Sequence, residues 1–276
     1  MTKSILITGC SSGIGYDAAR TLAQRDWHVF ATCRQEADCE RLRAEGLESF
    51  RLDYEDEASI RAAMSEVTER TGGSLDALFN NGAYAIPAAS EDLPRNALRA
   101  IFEANLFGWH DLTCQAIKLM RSQGHGRIVM NSSVLGLVPM PWRGAYVATK
   151  FALEGLTDTM RVEMAGTGIK LISIEPGPVT SDIRKNATKQ FEKHIDWQSS
   201  ARRAQYENSL LKRLYADTGK DAFELPASAV TKKLIHAIEA SRPRPRYYVT
   251  TPTYIMGAAR RLLPTRGLDW LISRAG

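Results

Sequence analysis

Short apolar runs alternate with amphipathic stretches along the first two thirds of the chain, and this alternation constrains the fold more than any other feature. The first run, Ile5-Leu6-Ile7, leads directly into a glycine-rich turn. Strands that alternate with helices form βαβ units, which require a parallel sheet covered by helices on both faces. The predicted strands are 4–7, 28–32, 50–52, 75–79, 127–131, 170–174 and 247–249, and the predicted helices are 14–24, 37–44, 57–70, 95–121 and 146–165.

These elements predict an α/β fold in which a single domain spans residues 1–276. Residues 182–222 are polar, helical and rich in aromatic side chains, and we expect them to form an insertion over the functional site. Residues 253–274 predict one or two amphipathic helices.

The charge balance and the cysteines argue against several classes of function. The chain has 36 basic and 31 acidic residues, and its net charge of +5 is too small to indicate nucleic-acid binding. The four cysteines lack C-x-x-C spacing and the five histidines lack metal-ligand spacing, so we expect free thiols and no metal site. There is no signal-peptide pattern and no apolar run near the ~20 residues that cross a bilayer, which predicts a cytoplasmic protein.

The glycine-rich turn after the first strand predicts a phosphate-binding site. It has the spacing G-x-x-x-G-x-G, and a helix begins within the motif. Glycines allow a tight turn and a close backbone approach, while the helix N-terminus offers free N–H groups to a pyrophosphate. We therefore expect a Rossmann-type, doubly wound sheet whose first turn binds a dinucleotide. The expected contacts are Gly9, Ser11, Ser12, Gly13, Ile14 and Gly15.

The residue that ends the second strand selects between the two nicotinamide dinucleotides. An acidic residue there would bind the ribose 2′-OH of NAD, whereas an arginine accommodates the 2′-phosphate of NADP. This chain has Cys33 followed by Arg34, so no carboxylate repels the phosphate and a guanidinium can pair with it. We expect NADP(H) in preference to NAD. The alternative is that Arg34 is only a solvated surface charge.

A serine, a tyrosine and a lysine carry the predicted chemistry. Tyr146 and Lys150 are four residues apart, which places them on one face of a helix, and Ser133 lies thirteen residues before the tyrosine. A phenol has a pKa near ~10, and a neighbouring ammonium favours its phenolate. Tyr146 could then act as general acid or base, while Ser133 donates a hydrogen bond to the substrate oxygen. Ser132 competes with Ser133, but the spacing favours Ser133.

In this order, the glycine turn, Ser133 and the Tyr146–Lys150 pair resemble the short-chain dehydrogenase/reductase family over about residues 3–180. The full length is most similar to bacterial NADP-dependent aldehyde reductases, and the motifs are similar to those of hydroxysteroid and retinol dehydrogenases. The resemblance implies an NADP-dependent oxidoreductase that acts on alcohols and carbonyls. It also implies that Asn105 supports a lysine–water proton relay and that the cofactor is contacted by Asp53, Asn80, Gly82, Tyr146, Lys150, Pro176, Gly177, Val179 and Ser181.

The substrate is predicted more weakly than the chemistry. Apolar and aromatic segments near the site favour a lipophilic aldehyde or ketone, with a hydroxysteroid or retinol as the alternative. A non-catalytic sensor of NADP is a further alternative. The family resemblance implies a homodimer or homotetramer.

From Arg242 to Gly276 the chain has seven arginines and one acidic residue, Asp269. This segment could cover the pocket, pack on another subunit or lie on a membrane, and we rank the membrane last.

Overall fold

The computed structural model describes residues 2–215, 219 and 221–275. Within them, one parallel sheet has the order β3-β2-β1-β4-β5-β6-β7. The order reverses between β1 and β4, which is the switch point at which ligands bind in open α/β sheets. The strands are β1 (Ser4–Thr8), β2 (His28–Cys33), β3 (Glu48–Arg51), β4 (Ala77–Asn80), β5 (Gly126–Asn131), β6 (Ile169–Glu175) and β7 (Arg246–Tyr248).

Helices cover both faces of the sheet. They are α1 (Gly13–Ala23), α2 (Glu36–Ala44), α3 (Glu57–Thr71), α4 (Arg95–Phe102), α5 (Gly108–Gln123), α6 (Gly144–Glu163), α7 (Ile183–His194), α8 (Arg203–Gln205), α9 (Leu211–Tyr215), α10 (Ser228–Glu239), α11 (Thr251–Leu262) and α12 (Thr265–Ala275). A π-helical turn at Glu103–Phe107 joins α4 to α5, and another at Tyr206–Leu210 joins α8 to α9. In the part of the chain named above, no helix is both long and apolar enough to span a membrane.

Two apolar cores lie on opposite faces of the sheet. One packs α1, α2 and α10 against side chains such as Ile5 and Ile7, and the other packs α3, α5 and α6 against side chains such as Leu6 and Leu78. Neighbouring residues of β1 therefore enter different cores, as the alternation of a strand requires. Because both faces are covered, the central strands are apolar throughout. This explains why they are conspicuous in the sequence.

The predicted fold class is confirmed, and all seven predicted strands are present. Strand β4, which was predicted at 75–79 and occupies Ala77–Asn80, is shifted by up to two residues. Strand β3 is shifted by as much, since it was predicted at 50–52 and occupies Glu48–Arg51. It is an edge strand paired only with β2, and polar residues begin it, so an apolar run does not mark its start. The predicted helix 95–121 is divided by the π-helical turn at Glu103–Phe107.

The segment 182–222 is helical, as its pattern predicts, although residues 216–218 and 220 lie outside the described residues. Its aromatic side chains are not all at a pocket. Phe191 and Tyr206 are buried in an apolar cluster that also contains Tyr146, whereas Tyr215 is exposed. The Tyr206 hydroxyl donates to Asp92 at 2.8 Å and accepts from the Ala89 N–H. Tyr206 therefore attaches the insertion to the loop after β4.

Candidate active site

The glycine turn after β1 packs tightly against the turn after β4. Gly9 has a φ of +68°, and a β-carbon at this residue would lie 2.6 Å from the Gly82 α-carbon. A β-carbon at Gly15 would lie 2.4 Å from the Gly9 carbonyl oxygen. Neither position can therefore carry a side chain without moving backbone. At the start of α1, Ser12 forms no side-chain capping bond, so the first N–H groups have no side-chain acceptor and could bind an anion.

A hydrogen-bond network centred on Thr8 holds the two turns together. The Thr8 hydroxyl accepts from the Tyr54 hydroxyl at 2.8 Å, from the Asn81 N–H at 2.8 Å and from the Gly82 N–H at 3.1 Å. The Asn80 side-chain oxygen lies 2.7 Å from the Tyr54 hydroxyl and is the alternative acceptor for its one proton. Gly82 thus holds the turn through its backbone N–H. Thr8 and Tyr54 were not predicted, because their roles depend on contacts between distant segments.

Arg34 is exposed at the carboxyl end of β2, directly after the buried Cys33. Asp53 lies nearby, after β3, where its carboxylate pairs with Arg51 at 3.2 Å and accepts from the Glu55 N–H. The cap of α3 is Asp56, so Asp53 does not fill the N-cap position. Asp53 can therefore receive a ligand without uncapping the helix.

Ser133, Tyr146 and Lys150 come together at the carboxyl end of β5. The Ser133 hydroxyl accepts from the Leu135 N–H at 3.1 Å and lies near the Tyr146 phenol. Burial raises the pKa of Tyr146 to about 12, and the nearby Ser133 hydroxyl opposes that shift. The Lys150 ammonium lies 5.5 Å from the centre of the Tyr146 ring. The neighbouring Ser132 hydroxyl is buried and has no hydrogen-bond partner among the described residues.

Lys150 is 1% exposed and is held from two further sides. Its ammonium donates to the Asn131 carbonyl at 2.9 Å and lies 4.3 Å from the centre of the Trp109 ring. Burial lowers its pKa to about 7, while the Glu154 carboxylate acts in the opposite direction. Neither Trp109 nor Asn131 was predicted. Trp109 is four residues after Asn105, so an argument from the helix face could have found it.

Asn105 lies in the π-helical turn between α4 and α5 and is fully buried. Its amide donates to the Tyr84 carbonyl at 2.8 Å, and its side-chain oxygen accepts from the Tyr84 N–H at 3.1 Å. Asn105 therefore fixes the chain after β4 beside the site. Its amide also reaches the Thr149 hydroxyl, next to Lys150, at 3.4 Å.

The loop after β6 closes the site on its third side. The Pro176 carbonyl accepts from the Val134 N–H at 2.8 Å, and Gly177 packs against Thr250. The backbone of Val179 forms a bridge with Leu225. The two hydroxyl side chains of this loop, those of Thr180 and Ser181, make different contacts. Thr180 donates to Glu224 at 2.6 Å, whereas Ser181 makes only a local bond to the Val179 carbonyl and its β-carbon faces Gly13. Ser181 is thus the hydroxyl beside the glycine turn.

A buried charge cluster lies behind Lys150. Arg246 on β7 donates to Glu154 at 2.5 Å, to Glu175 at 2.5 Å and to Asp158 at 2.6 Å. Burial and the neighbouring Glu154 carboxylate together raise the pKa of Glu175 to about 8, although Arg246 opposes both effects. One arginine therefore balances carboxylates from two elements, α6 and β6.

The chain matches the family model described as short chain dehydrogenase over residues 3–192. It is 37% identical to the uncharacterized oxidoreductase YbbO of Escherichia coli (strain K12), over 99% of this chain and 94% of that protein. It is 33% identical to retinol dehydrogenase 7 of Mus musculus, over 89% of this chain and 79% of that protein.

A solved short chain dehydrogenase/reductase from Burkholderia phymatum, in complex with NAD, has the same architecture. Its TM-score is 0.77 at 25% identity, covering 94% of this chain and 92% of that one. The family model covers more than half of the chain, and the relatives extend along nearly all of it. The protein therefore belongs to the short-chain dehydrogenase/reductase family.

Proposed function

We propose that this oxidoreductase reduces lipophilic aldehydes or ketones with NADPH. The observation that carries the proposal is the joint placement of Ser133, Tyr146 and Lys150 beside the glycine turn, at the switch point of the sheet. The glycine turn suits a dinucleotide, since a β-carbon at Gly9 or Gly15 would collide with backbone and the first N–H groups of α1 lack a side-chain acceptor.

The nicotinamide, when bound, would supply the hydride to the carbonyl carbon. Tyr146 is the proposed general acid, and it gives its phenolic proton to the carbonyl oxygen while Ser133 holds that oxygen by a hydrogen bond. Because burial raises the pKa of Tyr146 to about 12, the phenol is protonated at neutral pH, and the phenolate that forms on donation has to be stabilised. Lys150 stabilises the phenolate left behind, and Asn131 and Trp109 keep its ammonium in place.

The preference for NADPH rests on the end of β2. Cys33 is a buried thiol with no charge to repel a 2′-phosphate, and the guanidinium of Arg34 is exposed beside it. Asp53, Asn80, Gly82, Pro176, Gly177, Val179 and Ser181 are proposed as further cofactor contacts. The similar structure from Burkholderia phymatum holds NAD, so NADPH binding by this chain has to be measured directly.

The second candidate is a retinol or hydroxysteroid dehydrogenase. It is supported by the 33% identity to retinol dehydrogenase 7 and by a similar match to estradiol 17-beta-dehydrogenase 2 of Mus musculus, at 30% identity. The apolar cluster around Tyr146, which includes Tyr84 and Phe191, suits a bulky apolar substrate in either case. A cytoplasmic location and a dimer or tetramer remain predictions from the sequence.

The test replaces the proton donor and keeps its ring. Tyr146→Phe should lower turnover of an aldehyde by about 10²- to 10⁴-fold while NADPH still binds, since only the transferable proton is lost. NADPH consumption with a panel of aldehydes, ketones, retinal and a ketosteroid measures turnover, and fluorescence titration measures binding. Tyr215→Phe, at an exposed tyrosine, is the matched control. A folded Tyr146→Phe protein with full activity would refute the assignment, and wild-type protein that binds NADPH but turns over nothing would favour the sensor.

A further inference from the structure

The C-terminal helices α11 and α12 pack one face against residues 134–138, the loop that follows Ser133. Ala259, Leu268 and Ile272 are buried against Val138, and Val134, directly after Ser133, packs against the same cluster. This inner face agrees with the expectation that the segment packs near the pocket. The outer face points away from that cluster.

The outer face concentrates large exposed hydrophobic side chains. Leu262, at the end of α11, is 80% exposed, and Trp270, in the middle of α12, is 56% exposed. The others within this short segment are Tyr254, Ile255 and Leu263. Ile255 and Leu262 are seven residues apart, which places them on the same side of α11, and Tyr254 lies next to Ile255.

The same face is basic. Arg266, Trp270 and Arg274 follow one another at intervals of four residues, which aligns them on one side of α12. The Arg274 guanidinium lies 4.3 Å from the centre of the Trp270 ring. Arg260 and Arg261 add two charges at the end of α11, and Asp269 is the one acid on these helices. Among the described residues, none of these four arginines forms an ion pair with a carboxylate.

We propose that this outer face binds reversibly to the surface of an anionic membrane. Aromatic and leucine side chains that project from an amphipathic helix enter the interfacial region, and flanking arginines attract anionic headgroups. A second copy of the chain is a poorer occupant. A two-fold interface brings the same patch together twice, so the arginines would face arginines with only Asp269 to balance them.

The buried inner face of α11 and α12 packs on the loop after Ser133. Docking of the outer face would therefore place that loop one helix layer from the lipid. An apolar substrate dissolved in the bilayer would then reach the site without crossing much water. The membrane contact does not depend on the proposed reaction, and each can be tested without the other.

The test is co-sedimentation of the full chain with vesicles. Vesicles of phosphatidylglycerol and phosphatidylcholine in equal amounts should bind the wild-type protein at low salt, and phosphatidylcholine alone should bind it about ten-fold less. Salt at about 0.5 M should release most of the bound protein, because it screens exposed charges. The variants Leu262→Ser plus Trp270→Ser, and Arg266→Gln plus Arg274→Gln, should each reduce binding by about ten-fold.

Val162→Ser is the matched control, since Val162 is 66% exposed but lies at the end of α6. It should bind as the wild type does. Sedimentation velocity without lipid compares the assembly of all variants, and thermal unfolding checks that each is folded. The inference is overturned if wild-type protein does not bind anionic vesicles, or if the two double variants bind normally. It is also overturned if they change the oligomeric state in lipid-free buffer, since a second copy would then be the occupant.

Discussion

Arg34 is exposed at the end of β2, directly after the buried, uncharged Cys33, and the Glu55 carboxylate is near enough to interact with its charge. Arg34→Ala should weaken NADPH binding about ten- to hundred-fold and leave NADH binding nearly unchanged. A charge-assisted bond to the 2′-phosphate contributes ~1.5 to 3 kcal/mol, and NADH has no such phosphate. Titration of both cofactors, with Arg61→Ala on α3 as an exposed control, measures the difference. Equal weakening of both cofactors would show that Arg34 does not select between them.

Individual residues were predictable where their chemistry is local. Tyr146 and Lys150 are one helical turn apart, and Ser133 follows the strand that precedes their helix, so the order of the elements predicts that they lie at one end of the sheet. Asn131 and Thr8 could not be found in this way. Asn131 acts through its backbone carbonyl, which every residue has, and Thr8 acts because Tyr54 and Asn81 approach it from distant parts of the chain.

Among the elements, the short strand β7 carries Arg246 into the buried charge cluster. Removing one partner of a buried ion pair leaves an uncompensated charge, which costs about 3 to 5 kcal/mol. Arg246→Ala should lower the free energy of unfolding by about that amount, as measured by urea denaturation. Arg61→Ala, which breaks an exposed pair with Glu57, should change it by less than ~0.5 kcal/mol. A loss below ~1 kcal/mol in Arg246→Ala would mean that the carboxylates are already neutral.

The order of the elements was predictable from hydrophobic periodicity, but the break in the helix at Glu103–Phe107 was not. Five residues of π-helix change the periodicity too briefly to be seen, and no proline marks the turn. The turn coincides with the attachment of Asn105 to the Tyr84 backbone, which is a tertiary contact. The C-terminal pattern predicted the two helices, but only the fold shows which face is covered.

The stability of the whole molecule should depend on pH through Lys150. Its pKa in the folded protein is about 7, below the ordinary 10.5, so the unfolded chain binds more protons between those values. Stability therefore rises with pH across that window, by on the order of 3 kcal/mol between about pH 7 and about pH 10.

Lys150→Met removes this contribution. The free energy of unfolding of the variant minus that of the wild type should therefore be larger near pH 7 than near pH 10. Urea denaturation of the protein without cofactor at both pH values measures it, and Lys118→Met, at an exposed lysine, should give a difference that does not vary with pH. If the difference in free energy of unfolding between Lys150→Met and the wild type were the same at pH 7 and pH 10, Lys150 would keep its charge in the folded protein.

The charge cluster also bears on how the chain is made. Arg246 pairs with Glu154 and Glu175, which precede it by 92 and 71 residues. Glu154, Glu175 and the strands β1 to β6 therefore leave the ribosome before Arg246 does. Until Arg246 is made, both carboxylates lack their cation and the β6 edge of the sheet lacks its β7 partner. The native charge cluster can therefore form only after β7 has left the ribosome.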